Sequence, residues 1–431
     1  MVDRFSIIII GSGPAGVATA LNLYRQNPNL ARETLLLEKA VHPREKICGG
    51  GLSGNTEMLL EELGIELSIP FVPINHLRLN NGHGAIDLPQ GCFNKIVRRS
   101  QFDSMLADEV RKKKISLNER EPAIKVERCG DDVIVTTARE TYRARVVVGA
   151  DGVYSMLRNV EGFVKRNSLA RLFEIDIPAD PQQSIQFQQY VGMVDLSLVS
   201  KGMKGYIWEL PCYIDGKPFL NIGIMDSNLE RKTRVDLKAV FRDALKKRGI
   251  DLSQYRLKGH PERPFSPNDV FAIQNMLLVG DAAGIDSCFG EGISQSLEYG
   301  KIAAEAIARA FEDHDFSFAS YRSEIFKQRL GKEQEMYRFM ARLFYGPRWR
   351  FWLSFLWNSR VVQTLLAESY GGKRALHKQK LKIAFLAFYH FFFHYGKSLR
   401  IVNSRTEKGD HNEPEAGGLG SLRQKGVNSN V

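Results

Sequence analysis

Residues 275–293 read Asn-Met-Leu-Leu-Val-Gly-Asp-Ala-Ala-Gly-Ile-Asp-Ser-Cys-Phe-Gly-Glu-Gly-Ile. An apolar run ends in Gly280-Asp281, a glycine-rich turn follows, and a helix-like segment begins at about Ile293. That order sets a carboxylate at the C-terminal end of a buried strand, facing a helix N-terminus. Alone it describes any strand–turn–helix unit. Its weight comes from Gly11-Ser-Gly13-Pro-Ala15-Gly16 at the other end of the chain. Two such turns suggest one large ligand lying across one sheet.

Ile7 to Ile10 form a short continuous apolar run, as in a strand buried on both faces. Gly11 allows the tight turn, Gly13 lets a pyrophosphate approach the backbone, and Gly16 lets helix and strand pack closely. Val17 to Arg25 read as a helix whose N-terminus offers free N–H groups to phosphate. Thr34 to Leu37 make a second apolar strand that leads into Glu38, placed to bind a ribose hydroxyl, with Lys39 beside it. This fingerprint does not separate FAD from NAD.

Val146-Val-Val-Gly-Ala-Asp151-Gly152, followed by Ser155 and Arg158, is a third strand-to-turn element. With Gly280-Asp281 it resembles the paired motifs of FAD-dependent enzymes with the para-hydroxybenzoate hydroxylase fold. The resemblance covers roughly residues 1–310. It implies FAD as cofactor, with Asp281 on a ribitol or ribose hydroxyl and Arg99 reaching the cofactor. It also implies that the helix entered through Gly292 and Ile293 faces the flavin pyrimidine ring, where it would stabilise negative charge.

Pro43-Arg-Glu-Lys46-Ile-Cys48-Gly49-Gly50-Gly51 is the second clue. Consecutive glycines let the backbone approach a planar ring closely. The segment resembles the PxxKxCGG motif of the geranylgeranyl reductase family. Tyr206-Ile-Trp208-Glu-Leu-Pro211 with Asn221-Ile-Gly223 resembles that family's YxWxFP…GxG element, although Leu210 stands where the family has Phe and Cys212 where Lys is commoner. The implied fold class is α/β: a Rossmann-like FAD-binding domain, an inserted antiparallel-sheet substrate domain and a helical C-terminal region. The implied activity is reduction of carbon–carbon double bonds in a polyprenyl, geranylgeranyl-type lipid or diphosphate. Cys48, Tyr206 and Trp208 are the candidate catalytic residues. Cys48 could donate a proton, tune the flavin or gate the ring, or be a structural thiol. Tyr206 and Trp208 alternate with Ile207, so both point to one face, as cavity lining or as ordinary sheet core. A flavin monooxygenase or halogenase of the same fold is the alternative, because flavin halogenases carry a related WxWxIP element. A non-enzymatic flavin-binding scaffold is a third.

The expected organisation is a discontinuous FAD-binding domain (1–75, 96–165 and 265–312), a substrate domain (76–95 and 166–264), a helical basic and aromatic region (313–403) and a disordered tail (404–431). Helix is expected over about Gln101 to Lys114, a hairpin around Cys129–Asp132, and strands at Ser184 to Tyr190, Gly205 to Leu210 and Phe219 to Met225.

The 431 residues suffice for one large α/β unit with an insert, and the 43% hydrophobic content is ordinary for a globular chain. Five cysteines without CxxC spacing argue against a disulfide framework or a zinc site. His390 and His394 sit among aromatics, better suited to an apolar face than to a metal. The first apolar run is too short for a signal peptide, so a cytoplasmic body is expected. The +11 charge is concentrated: Arg338 to Arg400 holds twelve Lys and Arg against Glu368, with sixteen aromatics including Trp349, Trp352 and Trp357. Ile383 to Tyr395 is apolar but too short to span a bilayer. Peripheral attachment to an anionic membrane face is expected, and a nucleic-acid partner is not, for want of any such module. NAD(P)H or a ferredoxin would be the electron donor, there being no second nucleotide fingerprint.

Overall fold

The computed structural model describes residues 3–89, 93–164, 169–229, 235–286 and 288–395. The tail expected to be disordered (404–431), Cys92, and the side chain of His394 lie outside the described residues. Two large sheets share the molecule. In the first, parallel strands Met276–Leu278, Thr141–Gly149, Asp3–Ile10, Thr34–Leu37 and Ser116–Asn118 lie side by side in that order. Ile7 to Ile10, Leu35 to Leu37, Val146 to Val148 and Met276 to Leu278 are all buried, as both-face coverage requires. Helices Pro14–Gln26 and Ile293–Asp313 pack on it. They meet so closely that a Cβ on Gly300 would lie 2.6 Å from Ala18 Cβ. A hairpin, Ala123–Cys129 and Asp132–Thr137, extends the sheet at the expected turn.

The second sheet runs Lys258–Glu262, Ala170–Pro178, Lys217–Asp226, Gly205–Ile214, Val191–Asp195, His76–Asn80 and Ala85–Asp87. All its pairs are antiparallel except Val191–Asp195 with His76–Asn80. Alternation sorts its faces. Ile175, Ile207, Ile222 and Ile224 pack against Phe241 and Leu245 of the amphipathic helix Leu237–Lys247. Leu77, Val194, Tyr206, Trp208 and Leu210 face the opposite way, toward the C-terminal helices. A small sheet of Gly51–Ser53, Phe93–Val97 and Phe71–Pro73 completes the β structure.

The α/β class with a helical C-terminal region is the one expected. Ser184 to Tyr190 is not a strand. Ile185–Gln188 is a helical turn, entered through a turn in which Gln183 and Ser184 N–H both donate to the Asp180 carbonyl. Tyr190 then adopts a left-handed backbone (φ 51°) that swings the chain into Val191–Asp195. The alternation was real, but a turn imposed by Asp180 overrode it. The helix expected over Gln101 to Lys114 runs Arg99–Lys112.

Candidate active site

Four parallel strand ends gather the charged candidates. Gly11 follows Asp3–Ile10, Glu38 follows Thr34–Leu37, Asp151 lies two residues beyond Thr141–Gly149, and Asp281 lies three beyond Met276–Leu278. These strands are neighbours, so residues far apart in sequence share one sheet edge. The two glycine turns touch: a Cβ on Gly280 would lie 2.8 Å from Ala15 Cβ. Gly16 lies against the Gly11 carbonyl, where a Cβ would come within 2.0 Å. Around Gly13 the nearest such contact is Arg44 Nη2 at 3.6 Å, so that surface stays open to a ligand.

Glu38 is buried and accepts from Ser12 N–H (3.2 Å), Ser12 Oγ (2.8 Å) and Ala40 N–H (3.1 Å). Burial works to raise its pKa, but Arg44 and these hydrogen bonds hold it below the ordinary carboxylate value. Arg44, which sequence reasoning passed over, stands 3.4 Å from Glu38 and 3.3 Å from Asp103. Arg99 makes a bidentate pair with Asp103 at 2.8 and 3.1 Å. Burial opposes its charge; Asp103 and neighbouring Cys48 sustain it. Asp151 spends Oδ2 on the Met156 N–H (2.8 Å), and its buried Oδ1 has no partner. Arg158 donates to Ala282 O (2.7 Å) and Val164 O (2.9 Å), tying the Asp151 turn to the Asp281 turn. Lys39 is exposed at the edge of this cluster, with its charge acting on Asp151 and His260.

Lys46 Nζ lies 2.5 Å from His260 Nε2 and 3.9 Å from Asp281 Oδ2. His260 is pushed down to about 4 by burial and by Lys46, so the neutral ring accepts the ammonium's hydrogen bond.

Next to these groups is a cavity with about 1020 Å³ free of protein atoms. Cys48 to Gly51 and Gly290 to Ile293 line one side. Leu77, Leu79, Leu88, Leu172, Val194 and Leu210 supply apolar wall, with Tyr206, Trp208, Phe289 and Tyr370 as its aromatic part. Gly50 has φ +77° and lies against the Val97 carbonyl, 2.0 Å from an ideal Cβ, so no side chain can stand there. Cys48 Sγ accepts the Gly50 N–H at 3.4 Å. Tyr206 donates its hydroxyl to the Phe289 carbonyl. Trp208 Nε1 donates to Asn221 Oδ1 at 2.7 Å, and its indole lies on Gly223, its cross-strand partner. The structure thus brings together Cys48, Gly49, Gly50, Tyr206, Trp208, Gly292 and Ile293. It leaves Lys39 outside. It adds Glu262, which lines the cavity and which no sequence motif marks.

The donor set fits FAD. Two helix N-termini, at Gly13 and Gly292, carry no side-chain cap. The open surface at Gly13 beside Arg44 suits a pyrophosphate. Glu38, with Asp281 and the unpartnered Asp151 Oδ1, suits ribose and ribitol hydroxyls. Among the described residues no group of His, Cys, Asp and Glu could hold a metal ion.

Residues 4–290 match the sequence model of the FAD binding domain family. The chain is similar to a digeranylgeranylglycerophospholipid reductase of Picrophilus torridus, 26% identical over 340 residues that cover 74% of this chain and 81% of the relative. In structure it is similar to a geranylgeranyl bacteriochlorophyll reductase-like protein of Thermoplasma acidophilum. The TM-score is 0.68 at 20% identity, over 93% of this chain and 99% of the other. It is also similar to a flavin-dependent brominase, with a TM-score of 0.65 at 19% identity over 88% of this chain and 98% of that one. At these identities the two structures establish the fold.

Proposed function

Because the chain belongs to the FAD binding domain family and is an FAD-dependent oxidoreductase, we propose that it reduces carbon–carbon double bonds of a polyprenyl, geranylgeranyl-type lipid or diphosphate. The observation that carries this reading is the apolar cavity walled by leucines and aromatics and bounded by Cys48–Gly51 and the entry to helix Ile293–Asp313. The reductase name of the Picrophilus torridus relative points to the same substrate class.

Bound FAD in its reduced form supplies the hydride that such a reduction needs. The chain's own residues bind, orient and exclude water. An isolated alkene offers no carbonyl to polarise, so orientation must contribute heavily. Gly49 and Gly50 let the chain pack tightly against Leu210, Trp208 and the Val97 carbonyl, which fixes this edge of the cavity. Tyr206 and Trp208, each fixed by a hydrogen bond, give that wall a defined shape. The N–H groups entering helix Ile293–Asp313 have no side-chain cap and would stabilise negative charge on the ring. NAD(P)H or a ferredoxin would supply the electrons.

The C-terminal helices support attachment to an anionic membrane surface, through the later part of the expected Arg338–Arg400 segment. Trp349, Trp352 and Trp357 are half-buried against the second core, with Arg348 and Arg350 exposed beside them. The exposed aromatics are Phe385, Phe388, Tyr389 and Phe391 to Phe393, with Leu381 88% exposed. Lys373, Arg374, Lys378, Lys380 and Lys382 are exposed beside them. His390 is buried against Ser354 (3.1 Å). Among the described residues no helix is long and apolar enough to cross a membrane.

An anaerobic assay tests the reading. The protein with bound FAD is reduced chemically and mixed with geranylgeranyl lipids; flavin reoxidation should accompany a mass gain of one H2 per double bond. Product that forms only with stoichiometric O2 consumption would refute it in favour of the monooxygenase or halogenase alternative.

A further inference from the structure

We propose that Glu262 is the proton donor to the substrate double bond. The assignment rests on the double-bond reductase reading above. Saturating an alkene takes a hydride at one carbon and a proton at the other, so a reductase cavity needs an acid as well as a reductant. The cavity wall is apolar almost throughout, which makes its few protic groups easy to compare.

Glu262 ends strand Lys258–Glu262, whose pairing with Ala170–Pro178 places it opposite Ala170. Glu262 lines the cavity, and its Oε2 is buried beneath that surface without a hydrogen-bond partner. That oxygen lies against the backbone of Gly290, 3.1 Å from where a Cβ would stand, and the Tyr206 hydroxyl is 3.4 Å from the same point. It therefore sits beside the segment that enters helix Ile293–Asp313.

The other carboxyl and the phenols of the wall are committed. Glu291 is held by Ser53, by Ser294 Oγ (2.7 Å) and by Gln295 (3.3 Å). Tyr206 gives its proton to the Phe289 carbonyl, and Tyr370 gives its own to Asp286 at 3.0 Å. Burial drives both phenols well above their ordinary range, which makes them poor acids. Cys48 accepts the Gly50 N–H at 3.4 Å, which leaves its S–H proton unspent, so the thiol is the rival donor. Glu262 alone among the carboxyls of the cavity wall keeps an oxygen unspent.

A donor must also carry its proton at neutral pH. Burial raises Glu262 to about 8, and the carboxylates of Asp281 and Asp286 push the same way. Lys46 and Arg99 oppose them. Tyr206 faces it from the sheet, and His260 precedes it by two residues on its own strand. A carboxyl with a pKa near the working pH combines availability with acidity.

The step balances. The π pair of the alkene forms a C–H bond with the Glu262 proton at one carbon. The other carbon receives the hydride given up by reduced FAD. The substrate is reduced by two electrons, FAD is left oxidised, and Glu262 is left as carboxylate until a solvent proton restores it.

The test compares wild type with Glu262→Gln, a neutral isostere, both loaded with FAD. Without substrate, infrared spectra of the wild type should show a carboxylic C=O band that titrates at about pH 8 and is missing from the variant. With a geranylgeranyl lipid under anaerobic conditions, E262Q should bind FAD as the wild type does but reoxidise it slower by about 100-fold or more. The wild-type rate should fall as pH rises through about 8. A wild type that turns over beside an equally fast E262Q overturns the assignment alone, as does a missing infrared band. A wild type inert toward every geranylgeranyl lipid overturns the polyprenyl reading and the assignment with it.

Discussion

Gly223→Ala is the sharpest test of how the cavity wall is built. A Cβ at this position would stand 2.0 Å from Trp208 Cζ2, 2.4 Å from Cε2 and 2.5 Å from Cη2. Carbon atoms pack at about 3.5–4.0 Å, so the indole must retreat by roughly 1.5 Å or the strands must part. Either motion stretches the 2.7 Å bond from Nε1 to Asn221 beyond hydrogen-bonding range. Overpacking a core costs about 1–3 kcal/mol. Stranding a buried donor and acceptor costs about 1–3 kcal/mol more. Alanine recovers roughly 0.5–1 kcal/mol over glycine in a strand. Neighbouring effects do not add fully, so the expected net loss is about 2–4 kcal/mol, read from urea unfolding of the FAD-loaded protein. The indole can retreat only toward the cavity, where Gly49 already lies close: its ideal Cβ would be 3.2 Å from Nε1. Flavin affinity and turnover should therefore drop together. The control is the same change in a Trp208→Leu background. With the clash partner gone, G223A should cost under about 1 kcal/mol. If G223A alone stays within about 0.5 kcal/mol of wild type, or costs as much without the indole as with it, the account of this wall is wrong.

Glu298 is buried and pushed up to about 7, with Glu291 and Glu333 adding to the effect of burial and Arg329 opposing it. Below its ordinary pKa of 4.5 both folded and unfolded chains hold the proton. Above it only the folded chain does, so the wild type loses stability until pH passes about 7. Glu298→Gln should gain on wild type between pH 5 and 8, by at most roughly 3 kcal/mol; a difference independent of pH in chemical denaturation would sink this. Replacing Phe385, Phe388 and Phe392 together by Ser should abolish flotation with anionic liposomes while leaving the FAD spectrum unchanged. Binding by the wild type should weaken as salt is raised, and a wild type that ignores anionic liposomes at low salt refutes the surface assignment.

Much of this architecture was legible because its signals are local. Ile7 to Ile10 and Thr34 to Leu37 are apolar without interruption since their strands are covered on both faces. Gly11, Gly16 and Gly280 are legible because backbone or a neighbouring Cβ occupies the place of their own. The Tyr206–Trp208 pair and Gly223 are a register effect: Trp208 lies opposite Gly223 across an antiparallel pair, so the glycine is where the indole rests. What was not legible depends on strand pairing between distant segments. Glu262 lies in Lys-Gly-His-Pro-Glu-Arg-Pro with nothing local to mark it, and gains meaning only when its strand carries it to Gly290. Arg44 looks like a solvated charge until the chain folds back between Glu38 and Asp103. The C-terminal aromatics were correctly counted, but composition cannot say which of them pack inward. Trp349 and Trp352 pack on the second core, whereas Phe385 and Phe388 do not.

The same folding explains how an apolar cavity tolerates so many acids at its base. Glu262, Asp286 and Glu291 are all pushed up by burial, Glu262 to about 8 and Asp286 to about 6. Burial disfavours the charge of each, and at neutral pH Glu262 keeps its proton. Asp281 has Lys46 at 3.9 Å to balance it. The helix Ile293–Asp313 has no acidic residue in its first turn and no side-chain cap at Gly292, so the positive end of its dipole is not spent on the protein itself. One protonated acid, one balanced carboxylate and one uncapped helix end lie beside the place the flavin ring would take. A turn such as Gly280–Asp281 is thus compatible with many reactions. The protonated Glu262 and the uncapped helix entry beside it support the reductase reading proposed above.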